Sequence, residues 1–277
     1  MGKNISFRSV ALLFLFALIA PLFAEGDDIA GTLFHHVLNS NELDLFPLIP
    51  TITLPGGVTV HLLMLFISTA VILALFVPSF NRETLKVRGI AVALESIVLF
   101  VRDDLVYPIM GDKRGEKWLP FFTTQFLFIL TINYLGLIPA FKTATGNINV
   151  TSALALIVAI LMVVTGFKNL GGIGFFTNMY PDGAPLPIGI FVVFLEVLGL
   201  VIKSFVLSLR IFANMFAGHL VILSFLVLIF VLSPWAATIS LPFAIFIYLL
   251  EILVAFIQAM VFTLLSSIFI TMVSSSH

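Results

Sequence analysis

Four ionisable side chains, Glu196, Lys203, Arg210 and Glu251, interrupt long stretches of otherwise apolar sequence. An ionised group near a bilayer centre costs about 2.5–3.5 kcal/mol on the insertion scale, so four together would cost roughly 10–14 kcal/mol. Such groups persist there only where they meet a cavity, a partner or one another. The chemistry they suggest is ion movement. His219 and Glu251 can each take up and release a proton. Arg210 cannot, because a guanidinium stays charged at any workable pH; it can only attract carboxylates and repel cations.

The spacing sharpens this reading. On a helical wheel with Arg210 at zero, Lys203 falls at about 20°, and Glu196 and Asn214 both fall at about 40°. Four polar groups thus share one narrow stripe. Gly218 lies at about 80°, where the missing side chain would let a neighbour approach closely. His219 comes out at about 180°, on the opposite face. Glu251 and Gln258 are seven residues apart and share a face of the next apolar segment. The pattern predicts that Arg210 faces a partner while His219 and Glu251 face inward.

The surrounding elements are membrane spans. Of 277 residues, 61% are hydrophobic and 10% charged, a balance no soluble globular domain shows. A net charge of −1 argues against nucleic acid as a partner. There are no cysteines, which excludes disulfides, thiolate metal sites and cysteine nucleophiles. His35 and His36 lack further ligands at metal spacing, so no metal site is expected. No nucleophile, metal or phosphate motif is present, and no cofactor is expected.

The expected fold is all-α and polytopic, with about five transmembrane helices. Hydrophobic regions cover residues 58–77, 118–139, 150–167, 188–232 and 241–272. A span takes about 20 residues. The first three match; the last two are far longer and are expected to form a long, steeply tilted hairpin. Pro234 and Pro242 are expected to bracket its turn. Residues 1–24, with Lys3, Arg8 and an apolar run ending near Ala24, read as a cleaved signal peptide. Residues 25–57 read as an external N-terminal segment, and 58–277 as a single transmembrane helical domain. Residues 79–117 hold seven of the thirteen basic residues, so the positive-inside rule places that loop in the cytoplasm. The N-terminus is then outside and the C-terminus cytoplasmic. Within the loop, 89–106 is amphipathic enough to lie on the membrane surface.

Two function classes compete. A secondary transporter would show internal repeats or helices broken at mid-membrane, and neither is apparent. A subunit that offers a fixed charge to a partner fits the stripe better. Bland readings also exist: an Arg210 ion pair with Glu196 or Glu251, Lys203 snorkelling to the interface, and Gln258, Gln125 and Asn133 as interhelical glue.

The run Ser208-Leu209-Arg210-Ile211-Phe212-Ala213-Asn214-Met215-Phe216-Ala217-Gly218-His219 resembles the signature of subunit a of F-type ATP synthases. Glu251 followed by Gln258 is similar to that family's second motif. Asn133-Tyr134-Leu135-Gly136-Leu137-Ile138-Pro139 and Asn149-Val150-Thr151 resemble its second and third spans. The resemblance implies a non-catalytic, proton-conducting stator subunit in the bacterial inner membrane. Its implied partners are the c-subunit ring, the b-subunit peripheral stalk, the remainder of the synthase and lipid. It implies proton translocation by Arg210, His219, Glu251, Asn214, Gln258 and Glu196, with Asn133 and Lys203 as possible channel lining. In some members the acid and the histidine stand in the opposite order, which implies that His219 and Glu251 are neighbours. Some also carry an acid where this chain has Gly136.

Overall fold

The computed structural model describes residues 42–43, 52–53, 59–79, 89–138, 143–181, 183, 185–232 and 237–274. The expected signal peptide, the histidines at 35 and 36, and most of the external segment lie outside them. A two-residue antiparallel ladder, β1 (Glu42–Leu43) and β2 (Ile52–Thr53), precedes the helices. Everything regular after it is helical, so the all-α expectation holds for the membrane part.

In chain order the helices are α1 (Val60–Ser79), α2 (Ile90–Phe100), α3 (Tyr107–Met110), α4 (Asp112–Gly136), α5 (Ile148–Leu170), α6 (Gly172–Thr177), α7 (Leu186–Leu232) and α8 (Ala237–Ser274). Among the described residues five of them, α1, α4, α5, α7 and α8, are long and apolar enough to cross a bilayer. α2 runs on through a wide π turn, Val101–Val106, into α3. Gly111 at φ 72° and Gly171 at φ 78° then separate α3 from α4 and α5 from α6, in a region that a residue with a Cβ rarely adopts.

α7 has 47 residues and α8 has 38. At 1.5 Å per residue α7 is about 70 Å long, more than twice a hydrocarbon core of about 30 Å. It therefore crosses obliquely or extends well beyond the lipid. The residues that could turn between α7 and α8, 233–236, include Pro234 and lie outside the described set. Pro242 does not bracket that turn: it sits inside the second turn of α8. Proline there removes the backbone donor that would otherwise reach the carbonyl of residue 238.

Two compact units divide the chain. The first comprises 1–71, 130–147 and 213–256; the second comprises 72–129, 148–212 and 257–277. In the first, Leu137, Met215 and Ala255 form a buried cluster against Tyr248, whose hydroxyl donates to the Leu137 carbonyl at 3.1 Å. Ile222 and Ala244 form another, with Phe225 stacked on Phe243. In the second, Phe122, Phe126, Ile129, Leu105 and Phe262 are fully enclosed. Helix pairs there are also tied by hydroxyls. Gln125 Nε2 donates to Ser266 Oγ at 3.1 Å, and Ser208 Oγ meets Thr151 Oγ1 at 3.1 Å and Ser152 Oγ at 3.0 Å. Gly166 admits the Phe175 ring, 2.5 Å from where a Cβ would stand.

Candidate functional site

Within the first unit, His219 is held from three sides. Its Nδ1 donates to the Met215 carbonyl one turn back on α7, at 3.0 Å. Glu251 Oε1, from α8, sits 3.1 Å from the same nitrogen. Only the carbonyl lies on the line of the N–H; the carboxylate is beside it at ion-pair distance. Nε2 faces the Gly136 carbonyl at 3.1 Å and the Thr143 hydroxyl at 2.7 Å. Thr143 in turn donates to the Gly136 carbonyl at 2.9 Å. Gly136 ends α4, so its carbonyl is one of the last four that the helix itself leaves without a partner.

Glu251 is buried at 6% exposure, and neither of its oxygens meets an aligned donor among the described residues. A carboxylate is that deep only because α7 offers a gap: a Cβ on Gly218 would collide with Glu251 Oε1 and its carboxyl carbon. A lone buried carboxylate is strongly disfavoured, and a histidine at 3.1 Å is the group that offsets it. The two can share one or two protons between them. Asn133 is enclosed, and its oxygen accepts from Thr145 at 2.9 Å, which ties the loop carrying Thr143 to α4. Nearby in sequence, the Asn147 amide lies 3.0 Å from His61 Nδ1.

Within the second unit the charges are arranged differently. Arg210 is exposed on α7, beside exposed Phe205 and Val206. Among the described residues no carboxylate or other acceptor partners its guanidinium. The two carboxylates that could have paired with it are engaged elsewhere: Glu251 with His219, and Glu196 with Lys203 at 3.9 Å. The rotation of α7 at this level is set by Ser208, tied to α5, and by buried Leu207 and Ile211. These turn Arg210 to the outside. Asn214, one turn on along α7 and already in the first unit, is half-buried. Gln258 is buried, with its Nε2 lacking a partner among the described residues.

Glu196 and Lys203 lie further along the same stripe. Lys203 Nζ also lies 3.3 Å from Met272 Sδ. Glu196 lines a cavity of about 370 Å³, with Leu170, Asn178, Tyr180, Pro181 and Met272 among its walls. The side chain is 43% exposed, so it reaches open space as well as Lys203.

Two groups at the site escaped sequence reasoning. Thr143 sits in a short polar loop with no periodic signal, and the Gly136 carbonyl is backbone. Ser208 stood in the quoted motif, but its role as a pin against Thr151 was not legible from spacing.

Comparison with known proteins now decides the family. The family model described as ATP synthase A chain matches residues 62–271. The chain belongs to the ATP synthase A chain family. ATP synthase subunit a 2 of Chlorobium luteolum is 40% identical over 265 residues, covering 90% of this chain and 77% of that protein. ATP synthase subunit a 2 of Prosthecochloris aestuarii is 39% identical over 267 residues, covering 91% and 82%. ATP synthase subunit a of Chloroherpeton thalassium is 40% identical over 251 residues, covering 86% and 75%. Family membership and five apolar helices make this a multi-pass subunit of an F-type ATP synthase in a bacterial membrane. The matched span contains every site residue expected from the sequence, from Asn133 to Gln258.

Proposed function

We propose that this chain conducts protons to and from a rotating ring of c subunits, as a non-catalytic stator. The observation that carries the proposal is Arg210: a permanent cation, exposed and without a partner among the described residues, on a 47-residue apolar helix. Left in lipid it would cost about 2.5–3.5 kcal/mol. A carboxylate on a neighbouring subunit removes that cost. An ionised ring carboxylate arriving at Arg210 would be held there, and a proton travelling on its own would be repelled.

His219 and Glu251 then form the outer proton route, with the N-terminus outside and the C-terminus cytoplasmic. Their proton-sharing contact accepts a proton from outside and passes it toward the ring. Asn133 holds the loop of Thr143 in place through Thr145. Glu196, with its cavity and with Lys203 beside it, forms the cytoplasmic route. Asn214, one turn from Arg210 on α7, and Gln258, on α8, offer amides to the ring's carboxylate. The remaining partners are the b-subunit stalk and the rest of the synthase.

The test is ATP-driven proton pumping in inverted vesicles carrying the assembled complex. Arg210→Ala is expected to abolish pumping while the complex still assembles. Pumping near the wild-type rate would overturn the proposal.

A further inference from the structure

The His219 ring presents a hydrogen-bonding puzzle whose solution points to Thr143. Both ring nitrogens face backbone carbonyls, Met215 at 3.0 Å from Nδ1 and Gly136 at 3.1 Å from Nε2. Carbonyls only accept, so both are satisfied together only when the ring carries two protons. Neutral histidine has one N–H. With that hydrogen kept on Nδ1, a bare Nε2 would point its lone pair at the Gly136 carbonyl, a repulsive contact in an enclosed place.

The Thr143 hydroxyl resolves this. It lies 2.7 Å from Nε2 and 2.9 Å from the Gly136 oxygen, so a rotation about one bond moves its hydrogen from one to the other. With His219 charged, Nε2–H and Thr143 O–H both point at the Gly136 carbonyl. With His219 neutral, the hydroxyl turns and donates to Nε2. We propose that Thr143 is a positioning residue of the outer proton route, whose hydroxyl rotation lets His219 lose and regain its Nε2 proton. The inference rests on the reading that His219 lies on that route. In the release step the Nε2–H bond breaks, its electron pair stays on nitrogen, and the proton passes to a water molecule, which leaves as hydronium. The other groups facing the ring are Glu251, from α8, and the Met215 carbonyl, from α7 itself; Tyr248, on α8, is bonded to the Leu137 carbonyl.

Thr143→Val keeps the shape and removes the donor. Charged His219 retains both carbonyl partners, but neutral His219 leaves Nε2 without a donor. The ring should therefore hold its proton more tightly. The experiment measures ATP-driven pumping against lumenal pH in inverted vesicles with the intact synthase. For Thr143→Val the rising limb of the profile should move up by about one pH unit, and Thr143→Ser should restore it. An unchanged profile, or a loss equal at every pH, would make Thr143 structural and overturn the proposal. If the valine variant does not assemble, Thr143→Ala is scored by the same rule; failure of both to assemble also overturns it. His219→Leu, run in parallel, separates the two ideas. Normal pumping in that variant would sink the placement of His219 itself, whereas a defect there with a wild-type Thr143→Val profile would sink only the role of Thr143.

Discussion

His219 with Glu251, and Arg210 with its bare flank, are two ways of keeping charge in an apolar helix pair. The first is closed upon itself. Glu251 fills the gap at Gly218, His219 stands 3.1 Å away, and two carbonyls and a hydroxyl complete the ring's contacts. The second is left open. Ser208, Leu207 and Ile211 are packed or bonded, and Arg210 points outward with no acceptor among the described residues. The difference separates two physical jobs. A group that must change its protonation needs neighbours that suit both states. A group that never changes its charge needs only to be aimed.

The largest effect should come from changing the aimed group without removing its charge. Arg210→Lys replaces a planar fork by a compact ammonium; proton-driven ATP synthesis is expected to fall at least tenfold, and a near-normal rate would show that any cation suffices there. Next comes the closed cluster. Exchanging its members, His219→Glu with Glu251→His, should recover more pumping than either single change, because the side chains touch. Additive losses would mean that the contact carries nothing. Gly218→Val should lower pumping severalfold by driving the Glu251 carboxylate from its place, and Glu251→Ala in the same background should then cost nothing further. Away from both regions, Gln125→Leu should cost the assembled subunit roughly 1 kcal/mol of stability, read by thermal unfolding in detergent, for loss of the bond to Ser266.

The smallest effect belongs to Arg102 and Asp103, an exposed pair with a 2.7 Å contact. The hydrogen bond from Arg102 holds the Asp103 carboxyl below its ordinary value. A depressed carboxylate contributes above its unfolded value and loses that contribution as pH falls through the folded one. Because the pair is open to solvent, Asp103→Asn should leave thermal unfolding at pH 7 almost unmoved. A large drop would show that this stretch is covered in the complex.

How much of this is legible in the sequence depends on what each signal rests on. Span positions follow from composition over about 20 residues, and all five regions are helices, whose ends fall within about six residues of the expected ones. The outward aim of Arg210 and the inward aim of His219 followed from helical period alone, since residues nine apart stand on opposite sides. Pro242 misled, because a proline tolerated in a helix's opening turns looks in sequence like one that ends a turn. Thr143 was invisible for a different reason. Its partner Gly136 is seven residues away, at the end of α4, and no periodicity carries that pairing. Lys203 meets Glu196 and Met272, contacts that side-chain geometry reveals and spacing does not.

The tight fit between Gly218 and Glu251 also constrains how this sequence can change by descent. A side chain at 218 has no room while the glutamate is in place, so that mutation meets a barrier whichever residue is tried first. Shortening position 251 opens the space but leaves His219 without its carboxylate. The two positions thus behave as one locus. A lineage can leave the present combination only through a weakened intermediate or by a paired change, and covariation between 218 and 251 is where that history would be written.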